Sequence, residues 1–222
     1  MFLVIALWCS VAAFVIGGIP FGYLAGRRLL GDDIRRHGSG NIGTTNVWRV
    51  LGWRAGVVVL VLDALKGMLP VLGTAWVMRR SGLDDPTQLA PVLAGLSAIL
   101  GHMYPVWLRL SGGKGVATAM GVVLVVAPLH SAVALLTFAV SLLFSRMVSL
   151  SSILAALAFL IFHLQKSGLA AWSMNRLPLT IFSVIVPATI LWRHRSNVVR
   201  ILNGTERRIG SAKGPPEENS KP

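Results

Sequence analysis

Six apolar stretches divide the chain: Phe2–Leu24, Val57–Met78, Leu89–Leu108, Val116–Phe144, Val148–Leu164 and Leu177–Trp192. Each is close to, or longer than, the run of about 20 apolar residues that a helix needs to cross a bilayer. The fourth, at 29 residues, is long for one crossing and short for two. Pro128 lies near its middle, where a proline removes a helical donor and crowds the turn before it. The pattern therefore predicts two short helices there, over 116–127 and 129–144, and seven helices in all. Helices of about 16 residues extend only about 24 Å, short of a hydrocarbon core about 30 Å thick. Their ends are thus recessed, or the bilayer thins around them.

Composition agrees with lipid as the solvent: 54% of the 222 residues are hydrophobic and 13% charged, against about 25% charged in soluble domains, and mean hydropathy is +0.69. The first stretch lacks a basic leader and other apolar stretches follow it, so it reads as a retained span rather than a signal peptide. The net charge of +13 does not indicate nucleic acid, because the cations lie in short segments between apolar runs. Such segments orient a membrane protein and attract anions. Splitting the fourth stretch places the basic 26–54 loop and the basic tail after Trp192 on one side, with sixteen Lys and Arg there and Arg79, Arg80, Lys166 and Arg176 opposite. The expectation is an all-α, polytopic seven-helix bundle with the N-terminus outside and the C-terminus cytoplasmic. Residues 1–206 form its single domain, and 207–222 a basic, disordered tail. Cys9 is the only cysteine, so no disulfide forms within the chain. Asp63 and Lys66, one turn apart inside the second span, read as a local ion pair, although charges at that depth are often functional.

Three polar segments fall on the basic side. In Ser39-Gly-Asn-Ile-Gly-Thr-Thr-Asn-Val-Trp-Arg49, Ser39, Asn41, Thr44, Thr45, Asn46 and Arg49 supply donors that suit an oxyanion. The same side chains are also ordinary helix caps, and the segment alone leaves both readings open. In Gly101–Gly115, His102 precedes Ser111-Gly-Gly-Lys-Gly. There Gly112, Gly113 and Gly115 around Lys114 suit a backbone nest for phosphate, or a flexible turn between spans. It is not a nucleotide P-loop, since the earlier glycine and the Ser or Thr after the lysine are missing. The third segment, Arg193–Glu206, carries Arg193, His194, Arg195, Asn197 and Arg200. Its arginines would also serve to hold the last helix to anionic lipid, but His194 and Asn197, three apart on one helical face, are not needed for that. His102 and His194 suit acid–base work or phosphate contact, whereas His130 and His163 lie at predicted outer turns with no role. Ser149 adds a donor, or a cap, between the fifth and sixth helices. No Cys, His or carboxylate spacing suits a metal.

In order, the segments read Ser-Gly-Asn-x-Gly-x-Thr-Asn-Val-x-Arg, then Gly-His-x-x-Pro-Val with Gly-Gly-Lys-Gly-Val-Ala-Thr, then His-Arg-x-Asn-Val-x-Arg-x-x-x-Gly-x-Glu. Over nearly the whole chain to about Glu206 this resembles the bacterial acyl-phosphate:glycerol-3-phosphate acyltransferase family. Ile42, Thr44 and Ser111 depart from its usual residues, and Ser111 removes a common lysine. The resemblance implies a seven-helix protein of the bacterial inner membrane with its active site on the cytoplasmic side. It implies transfer of a fatty acyl group from acyl phosphate to the 1-hydroxyl of glycerol 3-phosphate, the first acylation of phospholipid synthesis. Ser39, Arg49, Lys114, His194 and Asn197 would carry the reaction. Asn41, Thr45, Asn46, His102, Gly112, Gly113, Gly115, Ser149, Arg195 and Arg200 would hold phosphate. No cofactor, metal, nucleic acid or acyl-enzyme intermediate is expected. The implied partners are the two substrates, membrane lipid and the soluble enzyme that supplies acyl phosphate. A transporter for a phosphorylated metabolite is the main rival, and it would need cation sites reaching both faces.

Overall fold

The structure is a computed structural model that describes residues 1–210, and within them it is all-helical. Residues 211–222, most of the expected tail, lie outside the described residues. The ten helices are α1 (Phe2–Gly17), α2 (Phe21–Leu29), α3 (Thr44–Leu51), α4 (Trp53–Arg80), α5 (Leu89–Met103), α6 (Val116–Val126), α7 (Pro128–Ser145), α8 (Val148–Ser167), α9 (Leu177–Arg193) and α10 (Arg195–Leu202). Seven of them, α1 and α4 to α9, are the apolar helices that the pattern predicts, and α2, α3 and α10 are short additions at one end.

Five spans are long and apolar enough to cross a membrane, counting α2 as the continuation of α1, and α9 with α10 makes a sixth bent by 60°. The seventh expected span, α6, has 11 residues and is therefore only about 16 Å long. Its last residues, Val125 and Val126, line a cavity with Arg79, Asp85 and Gln88 at the far ends of α4 and α5. The break in the long fourth stretch falls on Ala127, where the backbone leaves the helical region (φ −150°, ψ 67°). Pro128 opens α7 instead of separating two helices, since a first-turn proline has no helical hydrogen bond to lose.

Lipid tails are as apolar as leucine, so close packing holds the bundle together, and glycines make that approach possible. A Cβ built on Gly121 would lie 1.9 Å from the Ala64 carbonyl oxygen, and one on Gly67 2.2 Å from that of Thr118. The α4 and α6 backbones therefore touch. Gly17 and Gly101 fit α1 against α5 in the same way. Around these contacts Val71, Ile99, Met103, Val122, Phe159, Phe182 and Ile190 form the main core. A smaller cluster of Ile34, Ile42, Val47, Val59 and Leu108 seats the 31–52 loop at the end of the bundle. His130 and His163 are more involved than expected: their rings lie 5.4 Å apart between α7 and α8, and His163 Nε2 pairs with the Thr180 hydroxyl at 2.8 Å.

All seven tryptophans are exposed. Trp48, Trp53, Trp107 and Trp192 lie at one end of the helices and Trp8, Trp76 and Trp172 toward the other, the two levels that aromatic side chains take at membrane interfaces. Arg54, Arg80 and Arg195 stack on Trp53, Trp76 and Trp192.

Gly121→Ala should lower the melting temperature in detergent, because a methyl against backbone must push α4 and α6 apart, at a cost of about 1–3 kcal/mol. A Cβ on Gly73 of α4 meets nothing within 4 Å, so Gly73→Ala should leave the melting temperature unchanged or higher.

Candidate active site

The loop before α3 is shaped by one buried side chain. Asn46 Oδ1 accepts the Ser39 backbone N–H at 2.7 Å, and Asn46 Nδ2 donates to the carbonyls of Asn41, His37 and Ile34 at 2.8, 3.0 and 3.3 Å. Asn41 Oδ1 accepts the Gly43 N–H at 2.7 Å just before α3 begins. Gly38 passes over Asn46 with φ +64°, and a Cβ there would sit 2.2 Å from Oδ1. The amide donors of Asn46 are thus spent on the loop itself, and Asn41 serves that loop as an acceptor. That loop presents an exposed Ser39, a half-buried Thr45 and a half-buried Arg49.

The glycine turn is also differently employed than the nest reading expects. The Gly112 and Gly113 N–H groups donate to the Met103 and His102 carbonyls at 3.1 Å each. Their own carbonyls accept the Arg193 guanidinium, at 2.7 Å for Gly112 and 2.7 and 3.1 Å for Gly113. With both faces of the turn used up, Gly112 and Gly113 hold a shape, and Lys114 is what that shape presents. Gly115, at φ +82°, turns the chain into α6. His102 is buried, with Nδ1 3.7 Å from Asp63 Oδ1 and Nε2 against Gly113 of the turn.

The third segment closes the site. α9 ends and the chain bends at His194, then α10 brings Asn197 and Arg200 back over the glycine turn. Lys114 Nζ donates to Asn197 Oδ1, and Asn197 Nδ2 donates to Glu206 Oε1 at 2.7 Å. Ser149, at the start of α8, donates to the same oxygen at 2.6 Å, and Arg200 Nε reaches Glu206 Oε2 at 2.8 Å. Glu206 is thus the hub of the site. Sequence reasoning placed it in the motif but gave it no role; its signal was being the only acidic side chain in the Arg193–Arg208 stretch. Arg193, read as a lipid contact, is the clamp on the turn. Arg195 lies apart, exposed and stacked over Trp192 at 4.9 Å.

Charge sets the protonation of this cluster. The Lys114 ammonium is pushed down to about 8, chiefly by burial, with Arg200, Arg49 and Arg193 adding repulsion and Glu206 pulling the other way. Burial and neighbouring Arg207 also lower Arg49. Glu206 is raised by burial, but hydrogen bonds from Ser149, Asn197 and Arg200 outweigh this and hold it below the usual carboxylate range. Burial and the nearby Lys114 push the His194 imidazole down to about 4, so it is neutral near pH 7. Its Nδ1 lies 2.8 Å from the Ile190 carbonyl oxygen. A carbonyl only accepts, so Nδ1 carries the proton and Nε2 keeps its lone pair. The site therefore offers crowded cations, one shared carboxylate and a neutral imidazole acceptor, an arrangement that an incoming multiply charged anion would relieve. Among the described residues no cluster of His, Cys, Asp and Glu could hold a metal.

The sequence profile described as Glycerol-3-phosphate acyltransferase matches residues 7–204. A Myxococcus xanthus protein named glycerol-3-phosphate acyltransferase is 44% identical over 196 residues, covering 88% of this chain and 95% of the relative. One from Geobacillus kaustophilus is 42% identical over 201 residues, covering 89% and 92%. The crystal structure of PlsY (YgiH), an integral membrane glycerol 3-phosphate acyltransferase in its glycerol 3-phosphate form, superposes with a TM-score of 0.80 at 39% identity, covering 92% of this chain and 96% of that one. Its lysophosphatidic acid form gives 0.77 at 38% identity, covering 92% and 95%.

Because anion binding needs Lys114 charged, affinity for a phosphate monoester should weaken as pH rises through about 8, as titration calorimetry would show. Glu206→Gln removes the carboxylate that holds the lysine proton on, so the weakening should move to lower pH. An unmoved transition in folded Glu206→Gln protein would contradict this electrostatic account.

Proposed function

The chain belongs to the glycerol-3-phosphate acyltransferase family, and we propose that it takes its acyl group from acyl phosphate and delivers it to the 1-hydroxyl of glycerol 3-phosphate. The products are lysophosphatidate and inorganic phosphate. The protein is a multi-pass membrane acyltransferase acting on glycerol 3-phosphate. What carries the finer reading is the joining of Lys114, Asn197, Glu206, Ser149 and Arg200 in one hydrogen-bonded cluster, with Arg49 within electrostatic reach.

In this mechanism the glycerol 3-phosphate hydroxyl attacks the acyl carbon directly. A carbon–oxygen bond forms to the glycerol, the bond from the acyl carbon to the phosphate oxygen breaks, and the hydroxyl proton ends on the departing phosphate. Phosphate is a good leaving group and accepts that proton itself, so no strongly basic side chain is required. Lys114 and Arg49 stabilise charge as it shifts onto phosphate, in a site whose donors are already oriented. Ser39 and Thr45, on the loop with Arg49, donate to phosphate oxygens. His194 Nε2 accepts a hydrogen bond from the attacking hydroxyl, and Asn197 and Ser149 orient their neighbours through Glu206. The acyl chain stays among lipid tails beside the exposed helix faces.

The same reading puts the protein in a bacterial inner membrane with the site on the cytoplasmic side, supported by the Lys and Arg excess at that end. There it would meet both soluble glycerol 3-phosphate and the enzyme that supplies acyl phosphate.

Purified protein given palmitoyl phosphate and glycerol 3-phosphate should form lysophosphatidate, while palmitoyl-coenzyme A in place of the phosphate should give none. Equal turnover of the thioester would refute the donor assignment. Lys114→Ala and Arg49→Ala should each reduce kcat by about 10²–10³ with melting unchanged, and normal turnover by both would exclude these residues. Cys9 is on α1, remote from the cluster by sequence and element, so thiol-blocking reagents should leave the rate intact.

A further inference from the structure

Beneath the glycine turn lies a second polar cluster that the chemistry above does not use. Asp63 and Lys66 of α4 and His102 of α5 are each buried to within a few per cent. Lys66 Nζ pairs with Asp63 Oδ1 at 2.8 Å and donates to the Ile19 carbonyl oxygen at 2.7 Å. Ile19 lies at the break between α1 and α2, where its carbonyl also accepts the Phe21 N–H at 3.1 Å. His102 Nδ1 faces Asp63 Oδ1 at 3.7 Å. The other edge of the ring meets the turn: a Cβ on Gly113 would lie 2.0 Å from His102 Nε2. The His102 carbonyl also accepts the Gly113 N–H.

A buried ion pair is weak evidence for stability, because well-packed apolar replacements often do as well or better. Charges this deep in a membrane protein need another reason. Here the reason is visible in what the cluster touches: the α1–α2 break, α4, α5 and the residue next to Lys114. Arg193 also holds the turn, through the Gly112 and Gly113 carbonyls, so His102 and Arg193 both grip it. We propose that Asp63, Lys66 and His102 form a positioning network that sets the place of Lys114 through the contact of His102 with Gly113. This rests on the acyltransferase reading above for the role of Lys114. His102 is on this account a support beneath the phosphate site and not a ligand within it.

Two sets of variants test the proposal. In Asp63→Asn with Lys66→Met, both charges disappear together while side-chain size is nearly kept. Melting should stay near wild type, yet KM for glycerol 3-phosphate should rise about tenfold, since small misplacements of a binding group are costly. A purely structural role would alter melting or the active fraction and leave KM alone. Wild-type KM and kcat in this double variant would overturn the proposal. Second, Gly113→Ala should lose activity by about 10²-fold because its methyl collides with Nε2, and His102→Ala added to it should recover at least about tenfold by removing the obstacle. If the pair is no better than Gly113→Ala alone, the contact is not what matters. Calorimetry with inorganic phosphate on the same variants reads Lys114 placement without turnover. An inactive wild type would sink the acyl-transfer reading, whereas phosphate affinity indifferent to all four substitutions would sink this one.

Discussion

Several cations gathered around one carboxylate govern this molecule. Arg49, Arg193 and Arg200 repel the Lys114 ammonium, and the Glu206 carboxylate pulls against them. The arrangement is tolerable because Glu206 is shared among Arg200, Asn197 and Ser149, and because Asn197 passes its influence on to Lys114. Elsewhere the structure can be understood as what keeps those charges from relaxing apart. Glycine contacts lock α4 to α6 and α1 to α5, Arg193 fixes the turn that carries the lysine, and Asn46 holds the loop that carries the arginine.

A site of this kind has excess positive potential before any ligand arrives, and it is oriented in advance. Both features favour phosphate in the same way: the ligand supplies compensation that the protein withholds, and the donors need not reorganise to receive it. Membrane surroundings sharpen the effect, since the cluster sits at the ends of helices whose outer faces meet lipid. Polar chemistry and apolar substrate handling are then neighbours without sharing side chains.

Much of this was legible from residue order. Long apolar runs gave the helices, Pro128 marked the division of the fourth to within one residue, and the distribution of Lys and Arg gathered the three segments at one end. Less visible was how hydrogen-bonding capacity is spent. Asn46, Gly112 and Gly113 all read as phosphate donors, because a sequence shows what a group can offer and not what has already claimed it. The charged neighbour of His102 was hidden for the same reason, being a carboxylate 39 positions away on another helix. Glu206 escaped notice because its importance comes from the convergence of α8, α10 and the glycine turn, which no local spacing encodes. The shortness of α6, by contrast, was legible: the break at Pro128 predicts a helix over 116–127, and α6 runs Val116–Val126.

Glu206 follows the last helix and is among the final described residues. The anion site therefore takes one part from near the start of the chain, two from its middle and its keystone from almost the end. During synthesis every helix is translated before that carboxylate is added. Until then the arginines and lysine have nothing to gather around, so a nascent or prematurely terminated chain would occupy membrane without being able to acylate anything.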